Sequence, residues 1–180
     1  MAWTTPLTAV TNATLTAAQW NASVRDNLNA TAPALATTAG SIFVATGTNA
    51  IAERIPQTAL VSGTDTVTST AYANTTTPGP AVTATSSAKA LIFTSGHQVN
   101  NTASASTYLA HEVSGATTIA AADTWALEHR GGTANSDMLN ATRTHLETAL
   151  NSGSNTFTVK YRVSGGTATV QRRHLTVIPF

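Results

Sequence analysis

The stretch from Phe157 to Phe180 constrains the fold of this chain most strongly. Large apolar side chains at 157, 159, 161 and 163 alternate with the polar residues between them. Successive side chains of a strand point to opposite faces, so this pattern predicts a strand with one buried face and one solvent-exposed face. A Ser-Gly-Gly turn at 164–166 follows. The sequence therefore predicts a β-hairpin at the edge of a hydrophobic core.

On the return strand of this hairpin, the apolar residues switch from even-numbered to odd-numbered positions. Its apolar residues Ala168 and Val170 have even numbers, whereas Leu175 and Val177 have odd ones. A regular strand has a side-chain period of two and cannot place both sets on one face. One extra residue in the strand solves the conflict. We therefore expect a β-bulge near Arg172–Arg173.

The sequence from about residue 64 up to this hairpin also predicts β-strands. Short apolar segments alternate with turn signals such as the NTTTPGP stretch at 74–80. A spacing of roughly 8–12 residues between short strands is typical of a sandwich or jelly roll. We expect Asp123–His129 to place Trp125 and Leu127 on one strand face. Met138–Leu150 fits a helix or a strand, and its dense threonine favours the strand.

A helix is predicted at about 16–31, ahead of the β region. Thr16 and Gln19 fit a capping box, and Pro33 would stop the helix. A β-hairpin is expected to follow at 41–55.

The predicted helix carries a narrow apolar stripe, and Leu15 with Trp20 has the spacing of a hydrophobic staple. A helix of about 15 residues is marginal alone in water. It must pack on the rest of this chain, on a copy of it or on another protein, and the spacing does not decide among these. Our candidate attachment or trimer-contact residues are the apolar side chains of the arm and helix: Trp3, Leu15, Trp20, Val24 and Leu28.

The composition excludes several classes of partner. Charged residues make up 9% of the chain and the net charge is +1, which gives no electrostatic basis for binding nucleic acid or an acidic membrane. No apolar run approaches the ~18 residues of a membrane span, so we expect no membrane insertion. The basic cluster Arg172, Arg173 and His174 is interpreted as a solvated strand face. Cysteine is absent, and the N-terminus lacks the pattern of a signal peptide.

No catalytic motif is visible, and we expect no enzyme activity and no cofactor. No two of the five histidines have a metal-binding spacing, so we expect scattered strand residues and no metal site within one chain. A cross-strand pair of His97 and His111 near Glu112 or Glu128 stays open. So does an ion held by three copies of one histidine on a trimer axis. The histidines are His97, His111, His129, His145 and His174.

Three segments resemble a known class of protein. The pattern LTAAQWN-x-x-VRDNLN at 15–29, preceded by Trp3, resembles the N-terminal segment of tail-fibre and minor tail proteins of bacteriophages, especially those of actinobacteria. GSIFVATGTNAIAERIP, Gly40–Pro56, is similar to an element common in phage fibres. Phe157–Phe180 resembles the closing strands of tumour-necrosis-factor-like jelly rolls at fibre tips.

This resemblance implies a virion structural protein that forms a homotrimer. The mainly β chain would comprise an N-terminal arm and attachment helix (1–35), a β-hairpin connector (36–62) and a C-terminal jelly-roll β-sandwich (63–180). The N-terminus would bind other virion proteins of the tail or capsid, and the loops would contact a host-surface glycan. We expect a location on the virion surface after synthesis in the host cytoplasm and release by lysis. A capsid-decorating head fibre and a stand-alone carbohydrate-binding module are the alternatives.

Overall fold

The computed structural model describes residues 4–8, 10–132 and 137–180. The chain divides into two compact units, residues 1–55 and residues 56–179. The division into three segments, 1–35, 36–62 and 63–180, stays a prediction.

The first unit contains short helices followed by a hairpin. The helical segments are α1 (Ala17–Trp20), a π-helical turn (Asn21–Arg25), α2 (Asp26–Asn29) and α3 (Ala32–Leu35). The antiparallel hairpin comprises β1 (Ile42–Gly47) and β2 (Ala50–Arg54). The predicted capping box is confirmed: Thr16 Oγ1 accepts from the Gln19 amide at 3.2 Å, and Gln19 Oε1 accepts from the Thr16 amide at 3.0 Å.

The helix ends earlier than the sequence predicts. Continuous helix runs from Ala17 to Asn29, with Ala30 as its cap. Pro33 does not stop this helix, and that prediction is wrong. Instead it lies in the first turn of α3, where proline is tolerated because its missing N–H would have no helical partner there.

The second unit is an antiparallel β-sandwich of jelly-roll type. Sheet I has the strand order β5-β10-β7-β8, and sheet II has the order β3-β11-β6-β9 with β4 also paired to β11. The strands are β3 (Gln57–Val61), β4 (Asp65–Val67), β5 (Ala81–Ser86), β6 (Ala90–Asn100), β7 (Ser106–Gly115), β8 (Leu127–Arg130), β9 (Met138–Glu147), β10 (Gly153–Val163) and β11 (Ala168–Pro179). The mainly β fold and the strand at Met138–Glu147 are as predicted.

The core lies between the two sheets and uses every second residue of each long strand. On β10 the predicted inward residues are all buried, with 0–1% exposure. The predicted hairpin is wrong, because β10 lies in sheet I, β11 lies in sheet II and the two strands do not pair. The alternation with half-exposed neighbours nevertheless confirms β10 as a strand with one buried face. Burial of each such side chain stabilises the fold by about 1.5–3 kcal/mol before entropy is counted. These four residues are Phe157, Val159, Tyr161 and Val163.

The predicted β-bulge in β11 is confirmed. The pairing of β11 with β6 shifts between Gln171 and His174, and Arg172 has a φ of 50°. Residues 168 and 170 before the bulge and residues 175 and 177 after it are all buried. The bulge thus keeps both sets on the core face.

Arg173 points from the bulge into the sandwich and is fully buried. Its Nη2 lies 2.8 Å from Asp65 Oδ2, and its Nη1 donates to Thr75 Oγ1 at 2.9 Å. The guanidinium also lies 5.4 Å from the ring centroid of Tyr161. Burial alone would raise the pKa of Asp65, but the hydrogen bond and charge of Arg173 outweigh it and lower that pKa. Arg173 is therefore not part of a solvated basic cluster, and that expectation is wrong.

One other segment differs from its predicted form. Asp123–Trp125 is a 3₁₀ turn, not the start of a strand, and β8 begins only at Leu127. Trp125 and Leu127 therefore do not share a strand face. The turn is held by a bond from the Ala126 amide to the Asp123 carbonyl at 3.1 Å.

We expect Val159→Asp to unfold the sandwich. Val159 is fully buried between the sheets, and a carboxylate there would lose its hydration without a partner. The expected loss is at least about 4 kcal/mol of unfolding free energy, measured by urea unfolding. Thr156→Asp, on the outer face of the same strand, is the control and should change stability little. A soluble Val159→Asp protein with wild-type melting would show that the strand faces the other way.

A double-mutant cycle on Arg173 and Asp65 should reveal strong coupling. Arg173→Met leaves the Asp65 carboxylate without its partner and should lower the unfolding free energy by about 3–5 kcal/mol. Adding Asp65→Asn removes the orphaned charge and should restore much of that loss. The coupling should shrink as pH falls through the lowered pKa of Asp65, because protonation removes the charge. Additive effects at neutral pH would contradict this account.

Candidate functional site

The outer face of sheet II carries few charged side chains. Its side chains lie on the face opposite the core, and the cross-strand pairs place them in rows. One row joins Ile178, Leu91 and Leu146. The whole set is Thr58, Leu60, Leu91, Phe93, Ser95, His97, Val99, Met138, Asn140, Thr142, Thr144, Leu146, Thr169, Gln171, His174, Thr176 and Ile178.

None of these positions is aspartate, glutamate, lysine or arginine, but the exposed Arg172 lies at the bulge of β11, between Gln171 and His174 of this set. Several large apolar side chains of the set are open to solvent: Leu60 is 62% exposed, Met138 61% and Leu146 47%. They lie in different rows and on different edge strands, so the surface mixes apolar and polar side chains. We call this set of residues the neutral face.

The outer face of sheet I is different, because charged side chains are paired across it. Lys160 Nζ lies 3.0 Å from Glu112 Oε1, and Arg162 forms an ion pair with Asp123. The Arg162 guanidinium also lies 3.9 Å from the centre of the Tyr108 ring. The outer face of sheet I therefore carries paired charges, whereas on sheet II the exposed Arg172 lies at the bulge of β11.

In the first unit, Asn27 ties the N-terminal arm to the helix. It is 2% exposed, its Oδ1 accepts from the Thr4 amide at 2.9 Å, and its Nδ2 donates to the Thr4 carbonyl at 3.1 Å. Ser23 Oγ accepts from the Leu7 amide at 3.0 Å. The side-chain amide thus imitates a backbone pairing partner. Sequence reasoning missed this role, although an asparagine in a helix interior is a signal for such a bond.

The arm and helix together form an open apolar groove. Three of the candidate attachment residues, Leu15, Trp20 and Val24, line it together with Leu7 and Val10. Leu15 and Trp20 remain 48% and 55% exposed.

Two other candidate attachment residues lie elsewhere. Leu28 does not line the groove and is 60% exposed, because the π-helical turn between it and Trp20 breaks the four-residue spacing of the stripe. Trp3 lies outside the described residues. Attachment through any of these residues stays a prediction.

A cluster of aromatic rings lies inside the sandwich between the two sheets. His111 faces inward from β7 of sheet I, and His145 does so from β9 of sheet II. Their ring centroids are 5.4 Å apart, and the Trp125 ring lies 5.7 Å from His111 and 5.4 Å from His145. The open alternative of a His97–His111 pair is excluded, because these residues lie on strands of different sheets.

The electrostatics of this cluster keep its buried imidazole neutral. Burial first, and then the charge of His145, lowers the pKa of His111 to about 3. Within the described residues, its Nε2 is buried without a hydrogen-bond partner. Such a group costs about 1–3 kcal/mol when left unpaired. Glu147 completes the cluster, with Oε2 3.7 Å from His145 Nε2.

No helix in the described parts of the chain is long and apolar enough to cross a membrane. Whether the protein has enzyme activity stays open, and its absence stays a prediction.

No protein-family model matches the chain, and no curated protein matches its sequence. Two solved structures share features of its fold. The Eiger TNF from S. frugiperda is 10% identical over 71% of this chain and 92% of its own, with a TM-score of 0.44. A protein of infectious bursal disease virus, Gt strain, is 12% identical over 76% of this chain and 35% of its own, with a TM-score of 0.35. The jelly-roll assignment rests on the strand order described above.

Proposed function

We propose that the protein is a short, fibre-like structural component of a bacteriophage particle. Three copies assemble through the neutral face, the N-terminal unit docks on another virion protein, and the jelly roll projects toward the host surface. The phage assignment derives from the sequence resemblance at residues 15–29 and 40–56. The observation that supports the assembly is the partly apolar outer face of sheet II, where Arg172 at the bulge of β11 is the exposed charge.

The chemistry of the neutral face favours further copies of this chain as its occupant. In a closed ring of identical copies, equivalent patches are repeated around one axis. A face rich in one sign of charge would repel its copies there, whereas this face consists mostly of leucine, threonine and asparagine, with Arg172 at the bulge. Exposed residues such as Leu60, Met138 and Leu146 would gain burial on assembly. The paired charges of sheet I suit the solvent-facing side instead.

The N-terminal unit is suited to attachment because it is compact in its own right. Its groove is preformed: Asn27 and Ser23 fix the arm along the helix, and the indole of Trp20 lies at the groove surface. Tryptophan is enriched among residues that dominate binding energy at interfaces. An apolar segment of a tail or capsid protein would fit this groove.

The full chain is expected to be a trimer in solution, with a mass three times that of the 18.5 kDa chain by light scattering. Thr144→Glu should yield monomers, because it introduces three carboxylates at the contact between copies. Thr144 is exposed on the neutral face and pairs with Phe93. The matched control is Thr85→Glu, an exposed threonine on the outer face of sheet I, which should remain trimeric.

A trimeric Thr144→Glu protein would remove the neutral face from the assembly. A monomeric wild-type chain would contradict the trimer and favour a stand-alone binding module.

Trp20→Ala should abolish incorporation into phage particles while leaving the sandwich folded. The indole lines the groove of the first unit, whereas the sandwich core belongs to the second. Incorporation is measured by immunoblotting purified particles for the tagged protein, and folding by the thermal melt of β circular dichroism. Arg25→Ala, at an exposed position of the same helix outside the groove, is the control. A lowered melting temperature in Trp20→Ala would assign Trp20 to the sandwich core and overturn its role in docking.

A further inference from the structure

We propose that His111, His145 and Glu147 bind a divalent transition-metal ion, Zn²⁺ by the chemistry of the ligands, that links the two sheets. The proposal needs no virion and does not depend on the oligomeric state. It concerns three inward-facing residues of one sandwich, two of them on edge strand β9 and one on β7.

The donor set suits zinc. Two imidazole nitrogens and one carboxylate oxygen are a common three-ligand set for Zn²⁺, with a fourth position left for water. The three ligand atoms already lie within 4.8 Å of one another, and the His145–Glu147 pair is at 3.7 Å. Tetrahedral zinc with bonds of about 2.0–2.1 Å needs about 3.3 Å between its ligands. Small side-chain rotations from the observed positions would reach this separation.

An independent observation points to a ligand at this place. His111 is 1% exposed, and its Nε2 has no hydrogen-bond partner among the residues that the structure describes. Buried polar atoms are nearly always paired, so an unpaired imidazole nitrogen requires an explanation. A metal ion would take its lone pair.

Neighbouring groups orient the ligands as an ion would require. Glu147 Oε1 accepts from the amides of Thr148 and Ala149 at 2.8 and 2.9 Å, which leaves Oε2 as the oxygen near His145. On the other side, Trp125 donates its indole N–H to the His111 carbonyl at 3.1 Å and stacks on both imidazoles. Contacts of this kind hold ligands in place and strengthen metal binding.

The position in the fold gives the ion a structural role. Strand β8 pairs with β7 only along 106–109, so His111 lies beyond the paired part of that edge. Across the core, β9 is the last strand of sheet II. Sheets in a sandwich are joined mainly by side-chain packing, and an ion bound to both sheets would act as a cross-link between them.

The test is Zn²⁺ binding to the full chain after removal of metals with EDTA. Equilibrium dialysis should give one Zn²⁺ per chain, and Co²⁺ should give the intense visible absorption of a tetrahedral site. Zn²⁺ should also raise the melting temperature, because it binds the folded state. A wild-type chain that retains no Zn²⁺ would overturn the proposal, and one ion per three chains would assign the ion to a trimer axis instead.

Variants locate the site. His145→Ala and Glu147→Gln should each weaken Zn²⁺ binding by more than about tenfold. Both residues lie on an edge strand, and glutamine keeps an oxygen for the Thr148 and Ala149 amides, so the fold should persist. His174→Ala, which removes a histidine of the neutral face, is the matched control and should bind as the wild type does. Wild-type affinity in His145→Ala, or loss of binding in His174→Ala, would refute this site.

Discussion

The buried pair of Arg173 and Asp65 is the interaction on which the sandwich depends. It lies at the bulge of β11, the strand that pairs with β3, β4 and β6. Residues before the bulge pair with β4 and those after it pair with β3, so one long strand serves two short partners. Without the extra residue, Leu175 and Val177 would point outward and half of the strand would leave the core. The bulge turns Arg173 inward, and only a partner such as Asp65 makes a guanidinium tolerable there.

How much the sequence predicts depends on whether the signal is local. The two terminal strands and the bulge were predictable because alternation and parity are visible in consecutive residues. Their pairing as a hairpin was predicted wrongly, because the turn between them joins two different sheets. Arg173 was misread because a charged residue in a strand pattern normally lies outside. His111 and His145 have no common motif, and only the packing of sheet I on sheet II brings them together. The predicted apolar stripe of the helix does not continue to Leu28, for a different reason. One π-helical turn shifts every later side chain around the helix axis.

Composition alone does not show where in the fold the few charged residues of the chain lie. Three charged residues of the sandwich have carboxylate partners: Arg173 in the core, and Lys160 and Arg162 on the outer face of sheet I. On the outer face of sheet II, the exposed charge is Arg172 at the bulge, and the surrounding positions are polar or apolar. The two outer faces therefore differ in chemistry, and this difference is the basis of the assembly that we propose.

The polar residues of the core differ in how fully their hydrogen bonds are satisfied. Arg173 has a carboxylate, a hydroxyl and an aromatic ring around it, although its Nε has no hydrogen-bond partner among the described residues. The side-chain amide of Gln98 and the Nε2 of His111 also lack partners there, so an unpaired atom alone does not mark a functional site. What distinguishes His111 is its surroundings, because His145 and Glu147 converge on the same point. Two imidazoles and a carboxylate are a ligand set for a transition-metal cation, and this convergence is the basis of the site that we propose.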